Sequence, residues 1–212
     1  MPIRIFIADD SDLTIRGAVA VLETDHRLRV VGTARGMDDL LTALEQVAAD
    51  VVLLNEWLYN TDVLNAVEQV RAAAPLTRLI VMGSLSDGLL IRDLFAVGVG
   101  GYLFKSDDLE THLITAVDTV MRDRPYLSPT ANAEYLVAMQ SPQRDCYLDG
   151  EARQVLRMLA NGAHVGEISR ELAISVRRVY WVRQKLRDRF GATTNEHMIS
   201  RAAQEGFIFP AD

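Results

Sequence analysis

The chain has 212 residues, of which 49% are apolar and 24% are charged, and its formal net charge is −7. This length allows one large domain or two small ones, and no apolar run approaches the roughly 20 residues of a membrane-spanning helix. The single cysteine, Cys146, excludes an intrachain disulfide framework and a cysteine zinc site. Because MPIRIFIADD lacks the charged lead and cleavage site of a signal peptide, we expect a cytoplasmic protein without a membrane partner.

The charge is distributed unevenly along the chain. Residues 1–130 carry 11 basic and 19 acidic side chains, whereas residues 131–212 carry 11 and 10. Within the second part, the stretch 174–191 has six basic residues against one acidic residue, a net charge of +5. Such asymmetry indicates a nucleic-acid partner for this stretch, although the acidic total argues against one for the whole chain.

Residues 1–123 alternate strand and helix patterns five times, which predicts an α/β domain with a doubly wound, five-stranded parallel sheet. The predicted strands are Ile3–Ala8, Arg29–Thr33, Val51–Leu54, Arg78–Gly83 and Gly101–Phe104. The predicted helices are Leu13–Leu22, Met37–Val47, Thr61–Ala73, Leu89–Val97 and Leu109–Met121.

The periodicity weakens over residues 124–146, where RPYLSPT and QSPQRD predict a linker containing one helix, Ala131–Met139. Residues 147–212 then predict a small all-helical domain without strands. Its four helical segments are Gly150–Ala160, Val165–Leu172, Ser175–Phe190 and Glu196–Gln204.

The second and third of these helices form a helix-turn-helix pattern. The short turn LAIS joins them, and Ser175 is a good N-cap for the helix that would enter the DNA major groove. At roughly 100° per residue, one apolar face collects Val179, Val182, Leu186 and Phe190. The opposite face holds Arg177, Trp181, Gln184 and Asp188.

Basic residues flank that polar face on both sides, with Arg178 and Lys185 on one flank and Arg183 and Arg187 on the other. This suits a groove with two phosphate walls better than a merely solvated helix face. Trp181 lies opposite the apolar face, so contact with a thymine methyl group or a sugar fits it better than core packing.

The stretch from LDGEARQVLRMLANG to KLRDRFGATTN closely resembles the LuxR-type helix-turn-helix of NarL/FixJ response regulators. The resemblance implies base contacts by Tyr180, Trp181 and Gln184, and dimerisation through the last helix. We expect phosphate contacts from Arg177, Arg178, Lys185 and Arg187, and we include the N-cap Ser175 among the DNA-binding residues. Gly150 and Val182 depart from the usual proline and histidine, and neither departure removes a phosphate contact.

Residues 1–123 resemble the receiver domain of the same regulators. In a working receiver, an acidic pair and a phosphoacceptor aspartate hold Mg²⁺, a lysine pairs with the phosphoryl group, and a hydroxyl follows it. The matching positions are Asp9, Asp10, Ser84 and Lys105, but Asn55 stands at the phosphoacceptor position. An amide cannot form a stable acyl phosphate, and the following Leu58-Tyr59-Asn60 also departs from the usual Met-Pro-Gly.

Each remaining pocket residue has an alternative interpretation. Asp9 and Asp10 cap the first helix or keep a weakened metal site that has lost one carboxylate. Lys105 pairs with one of them or is simply solvated. Trp57 and Tyr59 pack the loop or form the walls of a ligand site.

The sequence therefore predicts a DNA-binding transcription regulator with a phosphorylation-independent receiver. We expect it to bind double-stranded DNA as a homodimer, to need no cofactor and to have no enzymatic activity, since no nucleophile–base pair or complete metal set is evident. Two alternatives remain: a regulator whose degenerate pocket senses a small effector, and an adaptor that binds other regulatory proteins without contacting DNA.

Overall fold

A computed structural model describes residues 1–58, 61–84, 87–141, 147–205 and 207–208. Cys146 and Tyr59 lie outside these residues. The chain divides into two compact units, Met1–Met139 and Gln140–Asp212. No helix in the described part is long and apolar enough to span a membrane.

The first unit is built on a parallel sheet with strand order β2-β1-β3-β4-β5-β6. The strands are β1 (Ile3–Ala8), β2 (Leu28–Ala34), β3 (Val51–Asn55), β4 (Arg78–Gly83), β5 (Gly101–Phe104) and β6 (Tyr126–Leu127). The doubly wound α/β fold is confirmed, but the prediction of five strands is wrong. The sixth strand has only two residues, paired with Gly101 and Tyr102 of β5, and is too short to show a periodic pattern.

Six helices accompany the sheet: α1 (Asp12–Leu22), α2 (Met37–Gln46), α3 (Val63–Ala73), α4 (Gly88–Ala96), α5 (Leu109–Val120) and α6 (Pro129–Gln140). Polar residues cap four of these helices: Ser11, Asp62, Asp87 and Asp108 each accept a hydrogen bond from a backbone N–H of the first turn. All five residues of β3 are buried, which explains its unbroken apolar run.

The segment predicted as the start of a linker is packed onto the first unit. Ser128 Oγ accepts a hydrogen bond from the Phe104 N–H at 2.9 Å, and Asp107 Oδ2 accepts one from the Thr130 N–H at 3.0 Å. The Tyr135 ring meets the Phe95 ring of α4 edge-on, with centroids 6.4 Å apart. Pro125 directly precedes β6 and Pro129 is the first residue of α6, a position that favours proline, so these prolines do not mark a linker.

The second unit is helical in its described part, as predicted. Its helices are α7 (Gly150–Ala160), α8 (Val165–Glu171), α9 (Val176–Arg189) and α10 (Asn195–Gln204). The turn between α8 and α9 contains Ala173 at φ 52°, and Ser169 Oγ donates to the Ile174 carbonyl at 2.6 Å. These contacts fix the start of α9, whose N-cap is Ser175.

Candidate functional site

Four parallel strands end side by side at the edge of the sheet where the sequence predicted a pocket. Asp9 follows β1, Asn55 ends β3, Ser84 follows β4 and Lys105 follows β5. The strand register places Leu54 beside Ala8, Asn55 beside Met82 and Gly83 beside Phe104. The fold therefore brings these predicted pocket residues to one edge.

Lys105 is paired with one of the two carboxylates. Its Nζ lies 2.9 Å from Asp9 Oδ2; the Asp9 side chain is fully buried and the Lys105 side chain is 22% exposed. Asp9 Oδ1 also accepts a hydrogen bond from the Ser11 N–H at 2.8 Å. Of the two alternatives for Lys105, the structure has the ion pair, and its carboxylate partner is Asp9.

Asn55 occupies the centre of this edge and uses its amide as a donor. Nδ2 donates to Asp10 Oδ1 at 2.9 Å and to the Trp57 carbonyl at 2.7 Å. These two acceptors fix the amide orientation. The buried Asn55 Oδ1 has no hydrogen-bond partner among the described residues.

These residues do not fit the Mg²⁺ that the family resemblance implies. Mg²⁺ prefers anionic oxygen ligands in near-octahedral geometry. Asp9 is already paired with Lys105, and Asn55 directs an N–H group, rather than a lone pair, at Asp10. In the described ranges, no group of three or more acidic, histidine or cysteine side chains is placed to hold a metal ion.

Glu56 is a pocket residue that the sequence interpretation missed. It is 3% exposed, and its Oε2 accepts a hydrogen bond from the fully buried Tyr102 hydroxyl at 2.9 Å. Its Oε1 accepts from the Ser84 backbone N–H and from Trp57 Nε1, the latter at 3.2 Å. Burial, followed by the nearby Glu56 charge, raises the pKa of Tyr102. The sequence signal for Glu56 is a carboxylate that directly follows a strand buried along its whole length.

Of the two aromatic residues predicted to pack the loop or to form ligand walls, the structure describes Trp57. Trp57 is half-buried, and its indole N–H points to Glu56. The Ser84 contribution to this network is its backbone N–H. A ligand role for Tyr59 falls outside the described residues.

Helix α9 presents the second candidate site. Its apolar face is buried as expected, with Val179, Val182 and Leu186 at 1% exposure or less. The opposite surface exposes 56% of Tyr180 and 52% of Trp181. Arg189, one of the six basic residues of this stretch, is only 5% exposed, and its guanidinium lies 5.2 Å from the Phe207 ring centroid. It belongs to the interior of the unit.

One cationic flank of α9 is paired with carboxylates at the start of α7. Arg178 Nε lies 2.6 Å from Glu151, and Lys185 Nζ lies 2.5 Å from Asp149. Burial raises the pKa of Asp149, but the hydrogen bonds from Lys185 and from the Ala152 N–H outweigh it, so the net pKa is lowered. Trp181 lies beside both cations, with its ring centroid 4.3 Å from the Arg178 guanidinium carbon and 5.8 Å from Lys185 Nζ.

The other flank is engaged within α9 and with α10. Arg187 donates to Gln184 Oε1 at 2.7 Å and to Asn195 Oδ1 at 3.4 Å. Gln184 in turn donates to Asp188 Oδ1 at 2.8 Å. Arg177 is exposed near the start of the helix. The predicted DNA-contacting residues thus share one surface, but most of their polar groups already have partners.

The chain is similar to known response regulators. The response regulator receiver domain matches residues 5–118, and response regulator GacA of Pseudomonas aeruginosa is 26% identical over 210 residues, covering 97% of this chain and 98% of GacA. The probable transcriptional regulatory protein NarL of Mycobacterium tuberculosis is 25% identical over 213 residues, covering 97% and 96%.

Solved structures with the same fold include RcsB of Salmonella enterica serovar Typhimurium bound to promoter rprA with phosphomimetic BeF3⁻. Its TM-score is 0.70 at 17% identity, covering 96% of this chain and 99% of that one. A structure of two RcsB dimers bound to two parallel DNAs has a TM-score of 0.66 at 17% identity, covering 96% and 98%. The matched receiver spans more than half of the chain, and the chain therefore belongs to the response regulator receiver family.

Proposed function

We propose that this response regulator is a DNA-binding transcription regulator that acts as a homodimer and is controlled without phosphorylation at Asn55. The observation that carries the DNA-binding part is α9, an exposed basic helix that follows a short turn from α8. Its N-terminal half exposes Arg177, Tyr180 and Trp181, the part of a recognition helix that contacts base edges in helix-turn-helix proteins.

The relatives support this proposal. GacA and NarL match nearly the whole chain, NarL is named a probable transcriptional regulatory protein, and the RcsB structures contain DNA and dimers. A dimer also suits the chemistry of operator binding, because two copies of α9 related by two-fold symmetry read two half-sites about one helical turn apart.

The phosphorylation-independent part rests on the chemistry of Asn55. Acyl-phosphate formation requires a carboxylate oxygen nucleophile, and Asn55 offers an amide whose two N–H groups are bound to Asp10 and Trp57. Lys105, the cation that would pair with the phosphoryl group, is bound to Asp9. The pocket thus lacks the reacting atom, and its positive charge is already compensated.

The buried side chain of Glu56 links the strand ends at this edge instead. Its carboxylate joins the end of β3 to the Ser84 N–H after β4 and to the Tyr102 hydroxyl of β5. A buried carboxylate costs free energy unless donors compensate it. These donors therefore stabilise it and connect the three strand ends without a phosphate group.

We expect specific DNA binding by the full-length protein that does not change with Mg²⁺ and beryllofluoride. Selection of bound sequences from random DNA, followed by affinity measurements with and without the phosphate mimic, tests this. Asn55→Asp is the companion variant. We expect little labelling of it by acetyl phosphate, because Lys105 remains paired with Asp9 and the following loop differs from the family pattern.

A shift of dimerisation or DNA affinity by beryllofluoride would refute phosphorylation independence, and efficient labelling of Asn55→Asp would show that the pocket is otherwise intact. Absence of any DNA complex at low salt would refute DNA binding and favour the adaptor function.

Tyr102→Phe tests the Glu56 network. At pH 7 the loss of one donor to a buried carboxylate should lower the free energy of unfolding by about 1–3 kcal/mol. The pKa of Tyr102 is raised above the ordinary value of 10.0 in the folded protein. Above pH 10, Tyr102 of the unfolded chain loses its proton while Tyr102 of the folded protein keeps it. The stability that Tyr102 contributes to the folded protein therefore falls as the pH rises.

The difference in free energy of unfolding between wild type and Tyr102→Phe should therefore become smaller above pH 10. Urea denaturation at several pH values measures this difference. Tyr135→Phe makes the same chemical change on the half-buried face of α6 and is the control, which should stay near wild type at neutral pH. If Tyr102→Phe and wild type had the same free energy of unfolding at pH 7, the hydrogen bond from Tyr102 to Glu56 would not stabilise the fold.

Asp149→Asn tests the pairing of the α9 cations. Asparagine keeps the cap of α7 but removes the charge that holds Lys185, so DNA affinity should rise by about twofold to fivefold, the size expected of one exposed ion pair. The slope of log affinity against log salt should become steeper by about one, because one more cation is free for phosphate.

Glu171→Gln on α8 removes the same charge without freeing a paired cation of α9, and it should leave the salt slope unchanged. If Asp149→Asn and Glu171→Gln gave the same slope, Lys185 would not be a phosphate contact that Asp149 restrains.

A further inference from the structure

Two polar side chains of α9 that could read base edges, Arg178 and Gln184, already have partners within the unit. Arginine recognises guanine by two parallel hydrogen bonds, and glutamine recognises adenine in the same manner. Arg178 donates to Glu151 at 2.6 Å and stacks on Trp181, while the amide of Gln184 is held by Asp188 and Arg187. Reading guanine or adenine with these two residues requires breaking contacts that the folded unit already makes.

Apolar side chains form the surface that α9 offers without such a cost. Val176, Tyr180 and Trp181 are 46%, 56% and 52% exposed. They lie within the first two turns of the helix, the part that reaches base edges in helix-turn-helix proteins. Three large apolar groups exposed this way on one helix are unusual unless they contact a partner.

Cations hold the two aromatic rings in place. The Arg178 guanidinium carbon is 4.3 Å from the Trp181 ring centroid, and that of Arg183 is 5.4 Å from the Tyr180 centroid. Because Arg178 is itself fixed by Glu151, the Trp181 ring is preorganised before any partner binds. The surrounding positive charge favours a polyanionic partner over an ordinary protein surface.

Thymine is the base with an apolar group in the major groove. Its C5-methyl is contacted by apolar side chains, and the other three bases present only donors and acceptors there. We propose that α9 recognises thymine C5-methyl groups through Trp181, with Tyr180 as the adjacent reader, so that each operator half-site carries thymine at fixed positions. This inference rests on the proposed DNA-binding function and specifies its ligand.

The test replaces thymine by deoxyuridine, which removes the methyl group and keeps every hydrogen-bonding atom. Full-length protein is titrated with a DNA duplex obtained by the random-sequence selection, with each thymine replaced in turn, at fixed salt. We expect one or two positions per half-site at which affinity falls by about fourfold, the size of burying one methyl group. Those positions should lose their sensitivity in Trp181→Ala, whose side chain is too short to reach the methyl.

Arg177→Ala is the matched control on the same exposed face. It should weaken binding to all duplexes by a similar factor and leave the deoxyuridine penalty unchanged, because a phosphate contact carries no base information. Thermal denaturation of both variants checks that folding is intact, which the exposure of both side chains leads us to expect.

Specific binding that is insensitive to deoxyuridine at every position, or a penalty that persists in both Trp181→Ala and Tyr180→Ala, would overturn this inference while leaving DNA binding established. If no duplex is selected at all, the proposed function fails as well. Trp181→Ala that binds DNA like wild type but loses self-association would assign the aromatic surface to a protein contact and contradict thymine recognition.

Discussion

The hydrogen bonds to the buried carboxylate of Glu56 connect the strands at the edge of the sheet, and the arrangement of the pocket depends on them. This carboxylate accepts hydrogen bonds from the Ser84 N–H and the Tyr102 hydroxyl, so three strand ends share one anion. A Cβ on Gly83 would collide with that carboxylate and with the tyrosine hydroxyl, which explains the glycine at the end of β4. Together with the Lys105–Asp9 pair, this network ties the strand ends of the pocket to one another.

In the helical unit, by contrast, the charged surface of α9 is positive. Its cations are compensated by Asp149 and Glu151 from α7, and Trp181 lies beside both pairs. These ion pairs are partly exposed to solvent, so phosphates can compete with the carboxylates for the cations. In this account, the cations of α9 exchange carboxylate partners for DNA phosphates when DNA binds. Lys105 at the receiver edge keeps Asp9 as its partner.

The sequence predicted the features that depend on periodicity and on residue type at strand ends. Asn55, Asp9 and Lys105 were identified through the resemblance to receiver domains, together with the rule that parallel strands end at a common edge. Glu56 was missed, because a residue after a strand buried on both faces carries no alternation to show where its side chain points. Arg178 and Lys185 were placed on the correct face, but their partners lie 27 and 36 residues earlier in the chain, which helical angles cannot reveal.

The central claim is that the receiver edge is closed to the metal chemistry of phosphorylation. Trp57 and Trp181 are the two tryptophans of the chain, so Trp181→Phe leaves Trp57, which contacts Glu56, as a native fluorescent probe of the pocket. The decisive measurement is a titration of this variant with Mg²⁺ at constant ionic strength. The account predicts no saturable change in Trp57 fluorescence; a saturable change in the millimolar range or below that is abolished by Asp10→Asn would contradict it.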